Sequence, residues 1–219
     1  MRKIVVLLIV ALFSFQAMAQ KVRLGLHASP QLTWLKPDRN FDKGKIRAGF
    51  EYGLITDIAF NDDANYGIST GVNLSLTGGN IEGPLNTNVK AKLQYVSIPV
   101  LLKLRTNKIN DKWAVYGKFG TLASFRYKAR GDIKTFAGTL DGANLAKKIN
   151  TTDNPSTIKS TLFNFSLQVG GGAEYYVSDR TSILLGLYYN HGFLAVLKEN
   201  STGSEATLSN LGLRMGIMF

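Results

Sequence analysis

Eight charged residues, Arg23, Glu51, Asp57, Lys103, Lys118, Arg126, Glu174 and Arg214, stand in stretches where apolar side chains take every second position. All eight fall on the opposite parity, among Gly, Ser, Asn and Gln. Five cations and three carboxylates on one shared face have two chemical uses. Charges taken out of water persist when paired, which gives a structural ion network. Left partly unpaired, the cations instead line a narrow path for small anions. The network is the preferred reading, with Lys103, Lys118 and Glu174 at similar depth on neighbouring elements.

Catalytic chemistry has little to work with. His27 and His191 are the only histidines, and neither has the spacing of a triad or a metal site. His191 lies beside Tyr189, but its parity turns it away from the charged face and no serine follows two residues on. The chain has no cysteine, which excludes disulfides, zinc-thiolate sites and a lipid anchor on cysteine. Gly170, Gly171 and Gly172 lack the following helix of a phosphate loop; in a strand, such glycines mark close packing or a bend. No catalytic residue, metal or cofactor is expected.

A second group of charges is basic on balance. Lys36, Arg39, Lys43, Lys45 and Arg47 outnumber Asp38 and Asp42 in one polar stretch. Lys128, Arg130, Lys134, Lys147, Lys148 and Lys159 outnumber Asp132, Asp141 and Asp153 in another. Such patches suit phosphate groups or an acidic partner.

The elements that must carry these groups are strands. Apolar residues alternate through eight segments, for example Phe50, Tyr52, Leu54, Thr56, Ile58 and Phe60, or Val96, Ile98, Val100, Leu102 and Leu104. The last segment, "LSNLGLRMGIMF", alternates up to Phe219. Each segment is roughly 10 to 14 residues, and a tilted strand crosses a bilayer in about 9 to 11. The connections alternate too. Those at 61–65, 106–112 and 178–181 are short; those at 36–47, 78–92, 128–160 and 194–205 are long and polar. Short turns on the periplasmic side and longer outer loops are the pattern of a transmembrane barrel.

Alternation alone also fits a soluble barrel. The small groups on the polar parity decide against it, because a water-facing wall would carry many more Lys and Glu. Aromatics gather at both ends of the apolar parity: Phe60, Tyr66, Trp113 and Phe219 at one end, and Trp34, Phe50, Phe125, Tyr127, Phe163, Phe165 and Phe193 at the other. Two such girdles mark two membrane interfaces. The expected fold is an eight-stranded antiparallel transmembrane β-barrel, with ten strands if 128–160 hides a hairpin. In so narrow a barrel, side chains fill the interior.

Residues 1–19, "MRKIVVLLIVALFSFQAMA", have the basic start, short apolar run and small-residue end of a cleaved signal peptide. The apolar run is too short to span a bilayer. The barrel domain is then 20–219. Without Arg2 and Lys3, 24 basic residues face 15 acidic ones, a net charge of +9. Charge of that size points to anionic neighbours, and export argues against nucleic acid.

The chain resembles the PorT-like family of small outer membrane β-barrels in "YVSIPVLLKL" at 95–104, "VGGGAEYYVSDRTSILLGLYY" at 169–189 and the terminal Phe219. The resemblance implies shape and a location in the outer membrane of a Gram-negative-type bacterium, not an activity. A terminal aromatic is also similar to the signal read by the barrel assembly machinery. The expected role is structural or interactive, with outer membrane lipid, lipopolysaccharide or a surface or envelope protein as partner. A narrow pore is the alternative, and a lipid-modifying enzyme a distant one.

Overall fold

The computed structural model describes residues 22–37, 44–61, 63–83, 87–135, 138–143, 158–199 and 205–219. The expected signal peptide lies outside them. Ten strands follow in order: β1 (Val22–Pro37), β2 (Arg47–Ala59), β3 (Tyr66–Gly83), β4 (Thr87–Arg105), β5 (Trp113–Thr135), β6 (Gly138–Ala143), β7 (Ile158–Ser160), β8 (Phe163–Tyr176), β9 (Ser182–Glu199) and β10 (Glu205–Met218).

Eight of them form the wall. Each pairs antiparallel with its neighbour in the order β1-β2-β3-β4-β5-β8-β9-β10, and β10 pairs back onto β1 through Leu26↔Ile217, Leu32↔Leu211 and Pro37↔Ala206. Closure leaves the wall no free edge, a requirement for backbone in hydrocarbon. The hairpin suspected within 128–160 does not widen the ring. β6 pairs only with the far end of β5, and β7 only with the far end of β9.

The expected outward faces are on the outside. Leu24, Leu26, Leu54, Leu102, Phe119 and Leu187 are all more than 45% exposed. An apolar belt of this extent has no place in water; it faces lipid. Aromatics pair at both rims, Phe60 with Tyr66 and Trp113 with Tyr175 at the turn end, Phe125 with Phe163 and Phe165 with Phe193 at the other.

Strand ends toward the loops differ from the sequence reading. The stretch 78–92, read as a loop, is mostly strand: β3 and β4 stay paired from Gly78↔Lys92 to Gly83↔Thr87. β5 likewise runs on to Thr135. The reason is a change of surroundings. Beyond the outer girdle the outward positions Lys90, Lys92, Lys128 and Arg130 are exposed and charged, so the apolar-out signal stops while the strand continues.

Inside, the polarity also inverts. Leu35, Ala91, Leu93, Tyr95, Ala129, Val196, Leu197, Ala206 and Leu208 form a buried apolar cluster at the loop end. Bulges allow this. A register shift places Gln94 opposite Lys128 but Tyr95 opposite Arg126, which leaves Tyr127 as the extra residue and swaps the faces of β5 beyond it. β9 and β10 shift register at Ala206/Thr207 and again at Thr207/Ser209.

Candidate functional site: the packed lumen

The charged parity converges inside the barrel in two tiers. The lower tier sits at the turn end. Arg23 opposes Asp57 across β1 and β2, Asp57 opposes Ser69 across β2 and β3, and Lys103 opposes Lys118 across β4 and β5. Two lysines face to face repel, and carboxylates from other strands hold them. Lys103 Nζ donates to Asp57 Oδ2 at 2.5 Å and also pairs with Glu174 Oε1. Lys118 Nζ lies 3.5 Å from Asp57 Oδ1 and donates to Ser69 Oγ at 2.8 Å.

Glu174, fully buried, is the shared acceptor. Its Oε2 accepts from Arg23 Nη1 at 2.9 Å and from the Tyr176 hydroxyl at 3.0 Å. Arg23 Nη2 reaches Ser182 Oγ at 2.6 Å.

The upper tier is one ion pair with a polar shell. Arg214 Nη2 donates to Glu51 Oε1 at 3.0 Å, and Ser75 Oγ donates to Glu51 Oε2 at 2.8 Å. His27 bridges Ser29 Oγ at 3.2 Å and Asn73 Oδ1 at 3.0 Å. Its ring is a buried link in this shell.

A tyrosine packs against the cations of each tier. The Tyr116 ring lies 5.2 Å from Lys103 Nζ and 5.5 Å from Lys118 Nζ, and the Tyr188 ring 4.4 Å from the Arg214 guanidinium. Both rings need glycine floors. A Cβ on Gly186 would meet the Tyr116 hydroxyl at 2.2 Å, and one on Gly212 would meet the Tyr188 ring at 2.4 Å. The glycines read as marking close packing therefore include Gly172, whose Cβ would stand 2.8 Å from the Tyr116 hydroxyl.

Between the upper tier and the apolar cluster is a cavity of about 20 Å³ lined by Thr77, Tyr95, Ser97, Ser124, Asn164 and Asn190, among others. Both polar atoms of the Asn190 side chain, Asn164 Oδ1, Thr77 Oγ1 and the Tyr95 hydroxyl are buried there without a protein partner. The volume and the lining suit a single water molecule.

Not every residue on the charged parity joins these tiers. Arg126 stands apart near the loop end and donates to the Ser160 carbonyl at 2.5 Å and to its hydroxyl. The basic patch is also divided. Lys36 is exposed on β1, Lys45 is at an isolated bridge to Asn80, and Arg47 Nη1 donates to the Ala91 carbonyl at 3.2 Å. Lys128 and Arg130 face outward on β5, Lys134 is on β5 opposite Asn88, and Arg39 and Lys43 lie outside the described residues.

Sequence reading passed over Arg105, Tyr116, Tyr176 and Tyr188, although period two gives them away. Arg105 shares the parity of Lys103, and Tyr116 that of Lys118. It also missed Ser209, which register rather than spacing brings to His191, Oγ to Nδ1 3.1 Å. The His191 ring is 6.4 Å from Tyr189 and 6.0 Å from Phe193, within the girdle. Among the described residues no group of His, Asp and Glu could hold a metal ion.

A family model described as outer membrane protein beta-barrel domain matches residues 18–198. No curated protein matches the chain in sequence. Among solved structures it is similar to the outer membrane protein OprG of Pseudomonas aeruginosa, at 14% identity over 90% of this chain and 94% of that one, TM-score 0.54. It is similar to the outer membrane protease OmpT of Escherichia coli at 9% identity over 90% and 96%, TM-score 0.51. A major outer membrane protein of Thermus thermophilus aligns at 12% identity over 90% and 98%, TM-score 0.50.

Proposed function

This chain belongs to the outer membrane protein beta-barrel domain family, and from that premise we propose that it is an interaction barrel that holds lipopolysaccharide phosphates on its outer wall. The observation that carries this reading is a ladder of cations just beyond the outer aromatic girdle. Lys92 on β4 stands directly opposite Arg130 on β5, and Lys128 stands opposite Gln94. All three cations are exposed, as is Lys90 one step further along β4. Like charges directly opposite on one face destabilise a sheet. A phosphate between them reverses the sign, and Arg offers it a planar fork.

Position selects the partner. Lys128 follows Tyr127, which is 56% exposed at the girdle, so the ladder sits at the depth of lipid headgroups. The lumen supports an interaction role over a pore, since ion pairs and tyrosines fill it. The protease activity of OmpT does not carry over, because that likeness is one of fold. Phe219, whose backbone N–H donates to the Leu24 carbonyl at 2.7 Å, keeps its expected second role as a mark for the assembly machinery. The PorT-like resemblance adds location and shape to this reading.

The test is titration of the refolded barrel with purified lipopolysaccharide. Replacing both Lys92 and Arg130 with Gln is expected to weaken binding about tenfold or more, the effect of losing roughly 1.5 to 3 kcal/mol of charge-assisted contact. Added salt should weaken the wild type as well. Equal affinities for the two proteins would overturn the reading.

A further inference from the structure

The turn end of the lumen opens into a second cavity, of about 100 Å³, lined by Arg23, Asp57, Lys103 and Arg105 together with Asn61 and Tyr66 from the β2–β3 hairpin. The charges around it do not balance. Arg23, Lys103, Arg105 and Lys118 are linked through two carboxylates, Asp57 and Glu174. Among the described residues this leaves two positive charges in excess, on side chains of which Lys103, Arg105 and Lys118 are at least nine-tenths buried. Lys108 adds to the imbalance, its ammonium 4.6 Å from the Tyr176 ring.

Arg105 is the member with the weakest match. Its Nη1 donates to the Tyr176 hydroxyl and its Nη2 to the Asp63 carbonyl, both neutral acceptors. Among the described residues its closest carboxylate oxygen, Glu174 Oε2, is 3.8 Å away and already accepts from Arg23 and Tyr176. Its Nε is buried with no partner. A buried cation without a full counter-charge is costly, and a guanidinium that lines an open cavity suits a planar or tetrahedral oxyanion.

We propose that this periplasmic-end cavity is a binding site for one small oxyanion, a phosphate or a carboxylate, held by Arg105 and Arg23. It is separate from the outer-wall ladder, at the other end of the barrel. Asp57 and Glu174 hold the two arginines and Lys103 in place, so the anion meets a preformed set of donors and brings the charge they lack.

The test uses the refolded mature barrel in detergent free of lipopolysaccharide. Its thermal unfolding midpoint is followed in sodium phosphate, sodium acetate and sodium chloride at matched pH and ionic strength. A saturable upward shift in phosphate over chloride is expected, lost in Arg105→Gln and kept in the Lys92→Gln, Arg130→Gln double variant. A shift in acetate alone would assign the site to carboxylates and still support it. Arg105→Lys, which keeps the charge and removes the fork, covers the case in which Arg105→Gln fails to fold; it should reduce the shift. No shift with either anion, a shift that survives both Arg105 substitutions, or one lost only in the double variant would overturn the site. Because the two variants act at opposite ends, failure here leaves the lipopolysaccharide reading standing, and the reverse holds too.

Discussion

At the scale of single residues, Glu174 carries the most. It accepts from Lys103, Arg23 and Tyr176 while itself fully buried. Removing one partner of a buried charge group leaves the others exposed to one another, at a cost of about 3 to 5 kcal/mol. Glu174→Ala should therefore lower the unfolding free energy of the refolded barrel by an amount in that range, seen as a lower denaturant midpoint, and an unchanged midpoint would show that the network does not hold the barrel. Glu174→Gln keeps the shape and two acceptor or donor positions, and should cost less. The face these charges share was legible from period two alone; that Asp57 and not Glu174 pairs with Lys118 was not. What was not legible was the division of labour. Arg126 has the right parity, but it lies near the loop end and bonds Ser160; parity gives a face and says nothing of height.

At the scale of elements, tyrosine on glycine is the recurring device. The three closest contacts of a Cβ placed on Gly212 of β10 are all atoms of the Tyr188 side chain from β9. Gly212→Ala should cost about 1 to 3 kcal/mol by overpacking, and much less in a Tyr188→Ala background. A double-mutant cycle measures that coupling; simple additivity would mean the ring is not held by this floor. The bulge at Tyr127 makes a second expectation. Deleting Tyr127 removes the extra residue and restores continuous pairing, with Lys128 still opposite Gln94 and Arg130 still opposite Lys92, both outward. The variant should fold and keep its protease resistance beyond the outer girdle, read by mass spectrometry of the protected fragment; loss of that resistance would mean that the outer strands depend on the bulge itself. Strand ends were the least legible part of the fold. Where water replaces lipid outside, apolar residues are no longer selected on that face, and β3, β4 and β5 continue without the pattern that announced them.

At the scale of the whole molecule, a closed wall of eight strands surrounds an interior occupied by its own side chains. In a planar bilayer the refolded protein is expected to show no discrete conductance steps. Anion-favouring steps that change with Lys118→Glu would instead promote the pore reading. The reversal of polarity along the barrel axis has a mechanical consequence. Below Tyr127 the wall is oily outside and wet inside; above it the wall is wet outside and oily inside. The barrel thus carries its own waterline. Sinking by two residues would drag Lys92 and Arg130 into hydrocarbon, and rising by two would lift the Leu26 and Phe119 band toward water. Its height in the membrane is set by the chain, so a bilayer of another thickness must pinch or swell to meet it, and the rungs of positive charge stay level with the same layer of lipid wherever the protein is placed.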